Sequence, residues 1–337
     1  MKPQIKNIRI DSHVHILPPR RLSALLRWII RANPAHPVPA DITAEMILSD
    51  LRAQGVTHFF NFAYPLDLAE TGPINDFNIA FCAGTPGAIP FGSLHPDDEN
   101  KPEIAQRLFN RGCVGIKFHP FVQKFDPWDK RMEPLYDFLE EAQRPVLFHT
   151  GFEAFYRMQM PAAKLEALIR KHPRMPTVFV HMMFPEIERA YRLLEEFPML
   201  FLDATNVFAV FRPEYKPMLE TFGYGSGLRD VLFEGLCNYK GRIMFGSDHP
   251  AGMGSLEQIY MDMQNFGLPP EAINSLTVDA PMTFVKSFTD DFSSLFMDGI
   301  PTAVESGARA ANALLSGAGP TNDILIPCAN KVQGGND

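Results

Sequence analysis

Short apolar runs alternate along the chain with stretches whose apolar positions recur at helical spacing. The runs are IRIDSHVHI (8–16), VTHFFNFAYP (56–65), AIPFGSLHP (88–96), CVGIKFHP (113–120), PVLFHTG (145–151), TVFVHMM (177–183), MLFLDATN (199–206) and RIMFGSDHP (242–250). Most have the length and apolar character of strands buried on both faces, which belong to parallel sheets. The helical stretches between them include AEMILSDLRAQG (44–55), IAQRLFNRG (104–112), MEPLYDFLEEAQ (132–143), AAKLEALIRKH (162–172) and EIERAYRLLEEF (186–197). Gly55 stands where a helix stop is expected. Eight strands alternating with helices predict a (β/α)8 TIM barrel. A doubly wound open sheet is the competing arrangement. Polar groups at six strand ends would not all line one crevice of such a sheet, whereas closing it into a ring brings them together.

The barrel is expected to occupy residues 1–290. Residues 291–337 read as a C-terminal extension, in which GIPTAVESGARAANALL (299–315) is a small-residue packing or oligomer helix and KVQGGND a polar tail. Residues 17–43, rich in Pro and Arg, make a long first strand-to-helix connection, of a length that is usually functional or lid-like.

Composition narrows the class of protein. A hydrophobic content of 46% with 21% charged residues excludes a disordered chain. The net charge of −8 argues against a nucleic-acid partner. No apolar run reaches the roughly 18 residues of a membrane span. Cys82, Cys113, Cys237 and Cys328 are scattered without a CxxC pair, as expected of reduced thiols. The first strand begins near residue 8, leaving no room for a signal peptide. A cytoplasmic enzyme acting on a small molecule is the expectation.

The chemistry lies at the strand ends. His13 and His15 are two apart on one extended run and so project to one face of it. His149, His181 and Asp248 each close a later run. Side chains leaving several parallel strands at one end can converge on a metal ion. Imidazole and carboxylate suit Zn²⁺, Mn²⁺ or Fe²⁺, and ligand type alone does not separate zinc, the first expectation, from manganese; no Cys cluster suggests a structural zinc site. His13, His15, His149 and Asp248 supply the four protein ligands. His181 lies one strand on from His149, near enough to touch substrate or a second ion. His119 shares the face of Lys117 and is a candidate for lining the pocket. Asp11 is expected on the face of His13, where it could orient a ligand imidazole. Arg157, in the aromatic stretch FEAFYRM (152–158), is a candidate anchor for substrate. His58, His95 and Asp203 carry less weight, and His36 and His172 read as surface residues.

DSHVH (11–15), GIKFHP (115–120), MEPLYDFLEEAQRPVLFHTG (132–151), VFVHMM (178–183) and FGSDHP (245–250) together resemble the amidohydrolase superfamily, and within it the aminocarboxymuconate-semialdehyde decarboxylase-related family, amidohydrolase family 2. The resemblance runs from about residue 8 to 285. It implies a metal held by His13, His15, His149 and Asp248, with His181 orienting substrate and Asp248 serving as base. It implies one ion with Lys117 as a plain cation for an anionic substrate, or two ions if Lys117 is carboxylated and bridges them; one is favoured. It also makes a homodimer a fair expectation. The activity expected is hydrolysis of a C–N or C–O bond in a small carboxylated substrate, with metal-dependent decarboxylation of an aromatic or muconate-type acid as the alternative.

Overall fold

The computed structural model describes residues 8–156, 158–221, 227–289 and 292–297. Its strands are β1 (Ile10–Val14), β2 (His58–Phe62), β3 (Ala88–Phe91), β4 (Ile116–Phe118), β5 (Val146–His149), β6 (Thr177–Val180), β7 (Leu200–Asp203) and β8 (Ile243–Met244). Every pairing is parallel and between neighbours in sequence, β1-β2-β3 in one ladder and β4 through β8 in a second. Backbone bonds carry the ring across both seams. Lys117 N–H donates to Gly92 O at 2.8 Å, and Val114 N–H to Pro90 O at 3.0 Å. On the other side Ser12 N–H donates to Phe245 O at 2.9 Å and Asp248 N–H to His13 O at 2.8 Å. The molecule is a (β/α)8 barrel.

The period of two sorts side chains between the interior of the barrel and its helical coat. Phe60, Phe62, Phe91, Leu147, Val178 and Phe201 fill the interior with other fully or almost fully buried apolar groups, and Phe284 and Phe288 of the helix Ala280–Phe288 belong to the same cluster. The opposite parity, Phe59, Ile116, Phe148 and Phe179 among others, packs against the surrounding helices. Interior layers of bulky side chains make such a barrel a solid support, so polar groups are left to the strand ends.

Two local features depart from the expected pattern. The pairing of β1 with β2 slips by a residue between Asp11 and Val14. Such a bulge resets the alternation. Asp11, paired with Phe59, therefore faces the helical coat and takes a bond from the Tyr260 hydroxyl at 3.1 Å, while His13 and His15 turn inward. The second departure is in the long first connection, where Pro19–Ala32 forms a helix, α1, with Pro at its first position. Leu22, Leu26 and Ile29, at i, i+4 and i+7, bury one face of it.

The helix Phe292–Met297 begins the expected extension, and Phe296 stacks on His58 at 4.6 Å. The stretch 299–315, the polar tail and Cys328 lie outside the described residues; Cys82, Cys113 and Cys237 are free thiols. Among the described residues no helix is long and apolar enough to cross a membrane.

Candidate metal centre

Three of the expected ligands meet. His13 Nε2 lies 3.2 Å from His15 Nε2, and Asp248 Oδ1 lies 3.5 Å and 3.0 Å from these two atoms. The far nitrogen of each imidazole fixes its tautomer. His15 Nδ1 sits 2.9 Å from Phe62 O, which can only accept, so that nitrogen carries the proton. His13 Nδ1 sits 2.8 Å from Asp203 Oδ2 and donates to it. Burial, and then the neighbouring Lys117 ammonium, push the His13 imidazole well below its usual value, which keeps it neutral near pH 7. Its Nε2 lone pair therefore faces the Nε2 of His15 and a carboxylate oxygen. In the neutral tautomers these three acceptors have no proton among them. A divalent cation resolves that conflict, and the donor set, two imidazoles and a carboxylate, is one such ions take. The group lies within 4.8 Å throughout.

The surrounding shell holds these donors in place. Asp203 Oδ1 accepts the Thr205 N–H at 2.7 Å and the Thr205 hydroxyl, which leaves Oδ2 for His13. Asn206 Nδ2 donates to Asp248 Oδ2 at 3.1 Å, while its own Oδ1 accepts the Met253 N–H at 3.0 Å. Burial would raise the Asp248 carboxyl, but the His13 and His15 imidazoles, charged once falling pH protonates them, and the His15 hydrogen bond outweigh it and hold the group below the ordinary carboxylate range. Asn61 brackets the end of β1, accepting from Ile16 N–H at 2.7 Å and donating to Ile16 O at 3.0 Å. Asp11 touches no imidazole; it accepts Ser247 N–H and His13 N–H, so its work is to join β1 to the segment after β8. His249 turns away as well, toward Asp50 at 3.1 Å.

The remaining candidates fall around this group. His149 Nδ1 is 3.2 Å from His181 Nε2, and His181 donates from Nδ1 to Thr205 O at 2.9 Å. His149 Nε2 is buried without a partner, outside the three-donor cluster. Its ring stacks on His119 at 3.7 Å and 13°. His119 donates its N–H to Gln123 Oε1 at 2.8 Å, and its Nδ1 is also buried and unpartnered. Burial lowers the His149, His119 and His181 imidazoles alike.

A cavity of about 2120 Å³ opens over the strand ends, lined at its base by His15, Tyr64, His119, His149, His181 and Asp248. Lys117 is not among its lining residues. The ammonium, expected to meet substrate there, is enclosed instead, without a hydrogen-bond partner and 5.0 Å over the Phe62 ring. Arg157 lies outside the described residues. His172 is buried against Glu133 at 3.1 Å and His36 borders the cavity, so neither is a plain surface residue. The sequence pattern gives Asp203 too little weight and does not single out Asn206, although DATN (203–206) ends β7 as the expected ligands end their own strands.

A family model described as amidohydrolase, Amidohydro_2, matches residues 10–272. No curated protein matches the sequence. Among solved structures, a candidate 2-pyrone-4,6-dicarboxylic acid hydrolase of Pseudomonas putida superposes with a TM-score of 0.59 at 17% identity, covering 84% of this chain and 99% of that one. A 2,6-dihydroxybenzoate decarboxylase from Rhizobium gives 0.56 at 13% identity, covering 83% and 99%. A zinc-bound amidohydrolase from Burkholderia multivorans gives 0.57 at 16% identity, covering 83% and 99%. At these identities the structural likeness speaks for the fold, and the match over residues 10–272 speaks for descent: the chain belongs to the amidohydrolase family, amidohydrolase family 2.

Proposed function

We propose that the protein is a metal-dependent hydrolase that cleaves a C–N or C–O bond at a carbonyl of a small carboxylated molecule. The observation that carries this reading is the convergence of His13 Nε2, His15 Nε2 and Asp248 Oδ1 within 3.0–3.5 Å of one another. These three residues would hold one divalent ion, zinc foremost, and the unpartnered Nε2 of His149 would supply a fourth donor. When bound, such an ion polarises water and brings its pKa toward neutrality.

The chain's own groups supply the rest. Asp248, ionised at neutral pH, accepts a proton at its carboxylate and returns it to the leaving group. Asn206 keeps the carboxylate turned toward the site while this happens. His181 is fixed by Thr205 O, which leaves its Nε2 an acceptor, 3.2 Å from His149 Nδ1; it would have to carry a second proton to hold a substrate carbonyl or carboxylate oxygen. Tyr64 and His119, both at the base of the cavity, line the space such a substrate would fill.

Metal stoichiometry on protein purified without added metal is the first test, and about one ion per chain is expected. Asp248→Asn should keep the fold and lose at least about a hundredfold in turnover, the usual scale for removing an acid–base group. Undiminished turnover in the Asp248→Asn variant would remove Asp248 from the role. Product analysis separates hydrolysis, which leaves a new acid, from decarboxylation, which releases CO₂.

A further inference from the structure

The cavity is about 2120 Å³, roughly twice the upper range of pockets that enclose a drug-sized ligand. A small acid at the strand ends would leave most of it empty. Along its mouth runs α1, which places Arg20, Ala24, Arg27 and Arg31 at i, i+4, i+7 and i+11, a single stripe on the face opposite buried Leu22, Leu26 and Ile29; all four border the cavity, the three arginines exposed to solvent. At 1.5 Å per residue this stripe is about 16 Å long.

The charge along it is not compensated. Of the acids that also line the cavity, Glu70 is paired with Arg21 at 3.2 Å and Asp76 with Arg111 at 2.7 Å. Glu214 lies 3.9 Å from Arg212. Asp248 belongs to the metal centre. Arg27 donates only to the Ser23 hydroxyl, at 2.9 Å, and Arg20 and Arg31 have no carboxylate partner among the described residues. Part of the placement is locally unfavourable: Arg20 stands in the first turn, where the helix end is positive and no acidic residue offsets it, and Arg27 and Arg31 repel each other at i, i+4. Arg31, in the last turn, is favoured by the helix dipole. A chain of net charge −8 thus concentrates positive charge along one side of this cavity.

We infer that the substrate has two parts: a reacting head at Asp248 and a tail carrying two or more phosphate or carboxylate groups that lies along the Arg20–Arg27–Arg31 stripe. Guanidinium groups suit both anions because each offers paired donors in the geometry of two oxygens. This rests on the proposed hydrolase reading for the head and extends its single carboxylate to an elongated polyanion; the stripe itself does not depend on the metal.

The test is calorimetric titration of the full-length protein with inorganic pyrophosphate and, separately, citrate, at low and at physiological salt. Saturable binding that weakens with salt and falls at least tenfold in the R20Q/R27Q/R31Q variant is expected. Tighter binding of pyrophosphate identifies a phosphorylated tail, and tighter binding of citrate a polycarboxylate. Circular dichroism and metal content of the variant, both expected to equal the wild type, report that the fold and the metal centre are intact. No binding of either anion at millimolar concentration, or equal binding by the variant, overturns the inference and leaves the hydrolase reading standing. Stripe-dependent binding by a protein that holds no metal would do the reverse.

Discussion

Asp203 and Lys117 show how much of the site is decided by groups that would not themselves hold the ion. The Asp203 carboxylate sets the proton of His13 on Nδ1 and so presents the Nε2 lone pair to the cluster. Asp203→Asn should weaken metal binding about 10- to 100-fold, the usual effect of losing such a partner. Metal titration of the two proteins checks it, and equal affinities would mean that His13 is oriented by packing on Phe62 alone. Lys117 is a buried cation with no hydrogen-bond partner among the described residues, and burial brings its pKa down from 10.5 to about 8. Between about pH 8 and 10.5 the unfolded chain binds more protons than the folded one, so stability rises with pH across that window. Below it the whole penalty is present, about 3 kcal/mol at 1.36 kcal/mol per pKa unit. Lys117→Met should therefore stabilise the protein at pH 7 by up to about 3 kcal/mol, with the gain fading toward pH 10.5. Denaturant unfolding at the two pH values measures it; a loss of stability at pH 7 would point to a modified, partnered lysine.

At the scale of elements, the site is made by how strands end. His181, Asn206 and Asp248 follow β6, β7 and β8 in the left-handed region, with φ of 61°, 67° and 61°. Such conformations cost on the order of 1 kcal/mol or more each and gather where a side chain must be aimed. The segment after β8 also runs unusually close to β1. A Cβ on Gly246 would stand 2.4 Å from His13 Cβ and 2.5 Å from Thr205 Oγ1. Gly246→Ala must push the His13 strand or the β7 end outward, at about 1–3 kcal/mol of overpacking. The expected result is a folded protein with much weakened metal binding, read by circular dichroism and metal content together. Full metal occupancy in the alanine variant would show that this contact relaxes without moving His13.

For the whole molecule, closing the sheet joins strands far apart in sequence, and an ion bound across them would lock the ring at its β8–β1 seam. His13 and His15 stand on one side of that seam and Asp248 on the other. Binding only the folded state stabilises it by mass action, about 4 kcal/mol at a thousandfold excess over Kd. Chelation should therefore lower the melting temperature by several degrees in the wild type. The His13→Ala variant should not respond. A melting temperature indifferent to chelator in both would count against an ion at this seam.

The sequence by itself determined the eight strands, their parallel order and the histidines and aspartate at their ends, because strand periodicity and buried length are local properties. β5 through β7 lie within the apolar runs, with His149 closing β5 and His181 following β6. The order of neighbours followed as well, since short connections leave a parallel ring few alternatives. Asp11 shows where that local reading stops: one extra residue between Asp11 and Val14 turned it to the helical coat, and a bulge depends on the partner strand. Likewise only the packed molecule made Asp203, from β7, the partner of His13, enclosed the Lys117 ammonium over Phe62, and laid α1 along the cavity. Each of these joins residues that alternation cannot relate, because depth, tautomer and partner are set by what a neighbouring strand or helix brings to the same point.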